Sequence, residues 1–327
     1  MLEGIRDYVG NSARIVYSEG CHLFKDRVQG LGQANDRIAE VKAVAAMSDV
    51  VIAVMGLDPG LEGEEGDQGN EFASGDKPNL KLPGLQEEVL RVLVESGKPV
   101  VLVLLSGSAL AVPYADEHIP AILQGWYPGA QGGRAIANVL FGAACPEGRL
   151  PVTFYRSDED LPSFTDYAMK GRTYRYMTKE ALYPFGYGLS YTEFAYSDAS
   201  VCGTVPGGAE VTVTVTNTGR VAGRETVQVY VKSPLKGAPN AQLKGLKKLL
   251  LNPGESKTVT IPIPGKSFGV YDEKAERVIV PGEYEIHVGG SAPDRRSAEL
   301  LGRAPQKLSL RYDGGRAAYH DAEKKYL

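Results

Sequence analysis

Residues 98–107 read KPVVLVLLSG. From Val100 to Leu105 every side chain is apolar, with no polar alternation. A half-buried strand alternates, whereas a strand covered on both faces need not, so this run points to a parallel sheet with helices packed over it. Two further runs repeat the theme: VVIAVMG (50–56), and AILQGWYPG (121–129), a strand running into a loop. Helical spacing fills the gaps. NDRIAEVKAVAAMS (35–48) sets Ile38, Val41, Val44 and Ala45 on one face. LPGLQEEVLRVLVESG (82–97) does so with Leu85, Val89, Val92 and Leu93, and Gly97 stops it; GGRAIANVLFG (132–142) is a third helix. ARIVY (13–17) adds a short apolar run. MLEGIRDYVG (1–10) reads as an amphipathic segment without the charged and apolar leader of a secretory signal, as if from the middle of a protein.

Alternating strand and helix signals predict right-handed crossovers and an α/β domain over residues 1–155. In such sheets ligands gather beyond the carboxyl ends of the strands. Those ends carry the loop that begins at Gly56, then Ser106-Gly107-Ser108, then Gln124-Gly125-Trp126-Tyr127.

The pattern changes near residue 196. EVTVTVTNTG (210–219), ETVQVYVKS (225–233), SKTVTIPI (256–263) and GEYEIHVGG (282–290) alternate polar and apolar, separated by Asn-Thr-Gly, Asn-Pro-Gly and Pro-Gly turns. Over residues 196–295 this predicts an all-β antiparallel sandwich of the immunoglobulin or fibronectin III type. Residues 156–195, rich in Pro, Gly and aromatics, read as an ordered connector, and residues 296–327 as a polar, partly disordered tail with room for a short helix.

Composition narrows the function classes. The chain has 327 residues and a formal charge of −4, with both signs mixed throughout, which argues against a nucleic-acid binder. No apolar run is long enough to cross a membrane. Cys21, Cys145 and Cys202 show no metal spacing, and an odd number argues against a disulfide scaffold. His22, His118, His287 and His320 are scattered. Neither a metal nor a cofactor is expected. Lys244, Lys247 and Lys248 suit the guarding of an edge strand.

The informative stretch is GLDPGLEGEEGDQGNE (56–71), which sets Asp58, Glu62, Glu64, Glu65, Asp67 and Glu71 among glycines after a buried strand. A solvated loop, a cation site and a catalytic loop all remain open readings, although the run lacks the residue order of a calcium loop. Catalysis of glycosidic cleavage needs paired carboxyls, one with a raised pKa, and neighbouring carboxylates raise one another.

Several long motifs, in order, resemble family 3 of the glycoside hydrolases, the β-glucosidase and β-xylosidase family: GLDPGLEGEEGD (56–67), SGDKPNLKLPGLQ (74–86), GWYPGAQGGRAIANVLFGAACPEGRLPVTFY (125–155), GRTYRYM (171–177) and LYPFGYGLSYTEF (182–194). TNTGRVAGRETVQVYV (216–231) and LKGLKKLLLNPGES (243–256) resemble its fibronectin III-like domain. The resemblance implies a (β/α)8 barrel, a three-layer α/β/α sandwich and the fibronectin-like domain, and this chain matches the last two. It implies a retaining enzyme acting on terminal β-linked glucosides or oligosaccharides, with β-xylosides as the alternative and a non-catalytic carbohydrate-binding or assembly module as a second. The family's nucleophile is a barrel Asp, typically in Ser-Asp-Trp; here the Ser-Asp pairs at 48–49, 157–158 and 197–198 are followed by Val, Glu and Ala. The barrel is therefore the partner this chain calls for, and the chain alone is expected to be inactive or nearly so. By the same match Glu64 is the general acid/base, with Glu62 and Glu65 as alternatives. Trp126, Tyr127 and Lys77 are candidate substrate contacts, Lys77 standing where the family has Arg. Asp76, Arg172 and Arg175 are candidate loop anchors. Family members are often secreted or periplasmic, which gives the expected compartment.

Overall fold

The computed structural model describes residues 1–27, 29–63 and 77–318. They divide into two compact units, one formed by Met1–Ala144 with Phe154–Asp160 and the other by Cys145–Thr153 with Leu161–Leu327.

The first unit runs α1 (Leu2–Val9), α2 (Ile38–Ala46), β1 (Val51–Gly56), α3 (Gln86–Glu95), β2 (Val100–Leu105), α4 (Pro113–His118), β3 (Ala121–Gln124) and α5 (Gly132–Leu140). The three strands form a parallel sheet in the order β1-β2-β3, with Val51 opposite Val100 and Val101 opposite Ala121. Leu102, Val103 and Leu104 of the central strand are buried, as are Val89, Leu90 and Leu93 of α3 and Ile136 and Ala137 of α5. The unbroken apolar run of β2 is thus explained by cover on both faces. Helices pair as α1 with α5 and α2 with α3. At the first pair the backbones meet: a Cβ on Gly4 would lie 2.3 Å from the carbonyl carbon of Gly133. The run at 13–17 forms no strand. The sheet is open, and no eight-stranded barrel occurs among the described residues.

The second unit holds α6 (Thr173–Tyr176), β4 (Phe194–Thr204), β5 (Gly208–Asn217), β6 (Gly223–Lys232), β7 (Gln242–Leu251), β8 (Ser256–Pro264), β9 (Val270–Tyr271), β10 (Arg277–Ile279), β11 (Gly282–Gly289), α7 (Arg295–Leu301), β12 (Gln306–Tyr312) and β13 (Ala317–Ala318). Its larger sheets are antiparallel, β12-β11-β6-β7 and β4-β5-β8. Strand β5 shows how the alternation works. Val211, Val213 and Val215 are buried in the core with Val227, Val229, Ile286 and Val288, while Thr212, Thr214 and Thr216 bond across to Thr260, Thr258 and Ser256 on the open face. Lys244, Lys247 and Lys248 lie on β7, an edge strand.

The expectation of a polar tail needs correcting. Residues 306–312 pair along their whole length with β11, from Gly282 opposite Tyr312 to Val288 opposite Gln306. Leu308, Leu310 and Tyr312 alternate toward the core, a period of two in QKLSLRY that Lys and Arg on the other face disguise. Residues 319–327, including His320, lie outside the described residues.

Candidate functional site

The carboxyl ends of β1, β2 and β3 converge, and the reason begins with two residues. Gly56 closes β1 at φ +135°, and a Cβ there would lie 2.0 Å from the Leu105 carbonyl oxygen, so only glycine fits. Gln86, 2% exposed, accepts from the Gly56 N–H at 2.7 Å and donates to the carbonyls of Gly56 and Leu23, both at 2.8 Å. The strand exit is thereby fixed by a buried side chain with its amide fully used.

Beyond it the chain turns sharply. The Leu57 N–H donates to the Leu105 carbonyl at 2.7 Å, and the Asp58 side chain accepts from the Leu61 N–H at 2.9 Å. Leu61 is 1% exposed and roots the turn. These contacts swing Glu62 across the ends of the neighbouring strands. Its carboxylate accepts from the Gly107 N–H at 2.6 Å, from the Ser108 hydroxyl and from the Tyr127 hydroxyl, so loops after all three strands meet on one group. Gly107 is required by this packing: a Cβ there would lie 2.7 Å from a Glu62 oxygen and 2.8 Å from the Tyr127 ring.

The electrostatics follow from the contacts. Burial pushes the Glu62 pKa up, but hydrogen bonds from Ser108, Tyr127 and Gly107, helped by the Lys77 charge, together hold it below the ordinary glutamate value. Burial, and then the hydrogen bond to Glu62, pushes the Tyr127 phenol up, so it stays a donor. Lys77, the first described residue after position 63, is drawn down by burial and lifted partly back by Glu62 and Asp158. Its ammonium is buried without a hydrogen-bond partner among the described residues. Asp158, whose carboxylate accepts from the Leu80 N–H at 2.6 Å, fixes the chain just beyond Lys77.

Trp126 adopts φ +53° at the end of β3 and meets the buried Phe154 edge-on, ring centroids 6.2 Å apart. Tyr127 beside it is 40% exposed. The structure thus brings Glu62, Tyr127, Trp126 and Lys77 to the same edge of the sheet. Glu64, Glu65 and Asp76 lie outside the described residues. The two arginines lie in the second unit, where Arg172 donates to the carbonyls of Ser163, Asp166 and Ala168, and Arg175 to the Gln242 side chain at 2.5 Å. Arg172 closes a local loop, and Arg175 ties α6 to the start of β7.

Gln86 did not stand out in the sequence, although a signal exists, since it sits at helical spacing with Val89, Leu90 and Leu93, a polar residue in an apolar stripe. Ser108 was placed at a strand end by the sequence, but its contact with Glu62 was not. Among the described residues no cluster of His, Cys, Asp and Glu could hold a metal ion, and no helix is long and apolar enough to cross a membrane.

Comparison with known proteins adds what the geometry cannot. The model of the glycosyl hydrolase family 3 C-terminal domain matches residues 1–191, and that of the fibronectin type III-like domain matches residues 225–292. A xylan 1,4-beta-xylosidase of Xylanibacter ruminicola is 41% identical over 81% of this chain and 31% of its own length. A periplasmic beta-glucosidase of Salmonella typhimurium is 33% identical over 88% of this chain and 40% of its own length. Among solved structures, a β-glucosidase from Erythrobacter marinus superposes with a TM-score of 0.77 at 31% identity, covering 95% of this chain and 42% of that one. The exo-beta-xylosidase XlnD, in complex with a xylobiose aziridine probe, gives 0.78 at 26% identity, covering 99% and 43%. The chain spans about a third to two fifths of the curated relatives it matches.

Proposed function

This chain belongs to family 3 of the glycoside hydrolases, and we propose that it supplies the general acid/base half of a retaining β-glycosidase site. The observation that carries this reading is the meeting of three strand exits on Glu62, immediately before the acidic loop. A carboxylate held ionised by three donors is poorly suited to give up a proton. It is well suited to fix where the next residues begin. Glu62 is then the anchor, and the resemblance to the family assigns the acid/base role to Glu64, with Glu65 as its alternative. Trp126 and the exposed ring of Tyr127 offer aromatic faces to a sugar, and Lys77 a cation, at the same edge.

The second carboxylate comes from outside these residues. Retaining glycosidases hold their two carboxyls about 5–5.5 Å apart. Neither described Ser-Asp aspartate on this unit suits that role: Asp49 precedes β1, at the opposite end of the strand from Glu62, and Asp158 is engaged with Leu80. Positioned acid/base help is worth about 10²–10⁴-fold, roughly 3–5 kcal/mol, whereas enzymes supply about 8 kcal/mol or more. A barrel carrying the nucleophile is the implied partner.

The substrates we propose are terminal β-linked glucosides. The 41% identity with a xylan 1,4-beta-xylosidase favours β-xylosides as the second reading. Similarity to a periplasmic relative supports an extracytoplasmic setting. The test is an assay of the purified chain on 4-nitrophenyl β-glucoside and β-xyloside. No turnover above buffer is expected, and robust hydrolysis would overturn the division of labour.

A further inference from the structure

The second unit contains a cavity of about 500 Å³ that the proposed reaction does not use. It is lined by that unit alone, between α6 and the segment after it, the loop before β7, the end of β6, the middle of β11, and the start of α7 with the segment leading into it. Its volume falls in the range of about 300–1,000 Å³ typical of small-molecule sites.

The walls are built rather than incidental. Tyr174 and Phe185 stack with ring centroids 4.1 Å apart and planes 10° from parallel, and both meet the fully buried Tyr230 edge-on. Asn240 ties the loop before β7 to α6: its side chain donates to the carbonyls of Tyr174 and Met177, both at 3.0 Å, and its N–H to that of Arg175 at 2.7 Å. An aromatic pair held on one side by a locked loop and on another by a buried tyrosine cannot collapse into the space beside it.

The rim says what would fit. Lys232 of β6 lies directly opposite Glu285 of β11, and the Glu285 carboxylate pairs with Lys307 at 2.9 Å and meets His287 at 3.3 Å. Asp294 faces the same cavity with its carboxylate bound by Ser297, and burial raises its pKa. Three carboxylates (Glu180, Glu285, Asp294) and four cations (Lys179, Lys232, Arg295, Arg296) line the same cavity. A ligand of either single charge would meet like charges on such a lining. A ligand bearing many hydroxyls, each able to donate and to accept, can use both signs. A pyranose has such a ring of hydroxyls, with an apolar face to set against the wall that holds Tyr174 and Phe185.

We propose that this cavity is a carbohydrate-binding site for a neutral mono- or disaccharide, separate from the sheet edge that carries Glu62. It would hold glycan near the enzyme without taking part in bond cleavage.

The test is titration of the whole chain with xylobiose and with cellobiose, followed by calorimetry and by the NMR resonances of His287. The expected result is saturable binding with a millimolar Kd, or tighter, and a shift of the His287 signals. Phe185→Leu keeps the apolar bulk but removes the ring, and should weaken binding about 10-fold or more. Lys232→Ala, an exposed position, carries the test should Phe185→Leu fail to fold. The His287 resonances report on this cavity and turnover reports on the acid/base reading, so the failure of one is distinguishable from the failure of the other. Absence of saturable binding at ~10 mM sugar, where a millimolar site would be mostly filled, would overturn the proposal. So would binding that Trp126→Ala abolishes and the two cavity variants leave intact.

Discussion

At the residue scale the account turns on Glu62. Its folded pKa lies below the ordinary value of 4.5, so its stabilising contribution is complete above that value and is lost as pH falls through the lowered folded pKa. Glu62→Gln removes this dependence. Thermal melts between pH 7 and pH 3 should show the wild type losing more of its melting temperature than the variant across the acid limb; parallel curves would mean that Glu62 is not held ionised. Gly107→Ala probes the same contacts by shape. The added methyl would press on Glu62 and Tyr127 and should cost about 1–3 kcal/mol in urea unfolding. The carboxylates were legible in the sequence because acidic residues among glycines are conspicuous. That Glu62 is an anchored group was not, because this depends on Gly107, Ser108 and Tyr127, which reach it only when the sheet forms.

At the element scale, buried polar groups hold the strand exits and the sandwich. Gln86→Leu would strand the N–H and carbonyl of Gly56 and the carbonyl of Leu23, each such loss costing about 1–3 kcal/mol. Chemical denaturation of the first unit should detect it. In the second unit Glu225, fully buried, pairs with Arg149 at 2.5 Å and accepts from the Tyr196 hydroxyl at 2.7 Å. Glu225→Gln leaves the guanidinium without its counter-charge and should cost about 3–5 kcal/mol, again read by denaturation; a change below about 1 kcal/mol would mean that the pair is well solvated. Strands β1 and β2 could be read from unbroken apolar runs, and β5, β6, β8 and β11 from alternation. Strands β4 and β7 were harder. FAYSDASVCGT carries a bulge between Ser197 and Ser200 that breaks its period, and QLKGLKKLLL, on an edge, shows solvent a run of lysines and leucines.

At the scale of the whole molecule, an α/β unit and a β-sandwich follow from a change of period near residue 196, from continuous apolar runs to alternation. Which residues belong with which unit was less legible. Residues 154–160 cluster with the first unit, and 145–153 with the second, although they are neighbours in sequence. No local pattern encodes such an exchange. Function is harder to read at this scale, since a retaining site needs two carboxylates and the described edge presents one anchored glutamate at the foot of an acidic loop. The most direct test joins this chain to a family 3 barrel in one polypeptide and compares wild type with Glu64→Ala on aryl β-glycosides of graded leaving-group acidity. The account predicts that the variant loses at least ~10²-fold in kcat/KM on poor leaving groups, keeps most of its rate of glycosyl-enzyme formation on 2,4-dinitrophenyl substrates, and is rescued by azide. Equal losses on all substrates, with no rescue, would contradict it.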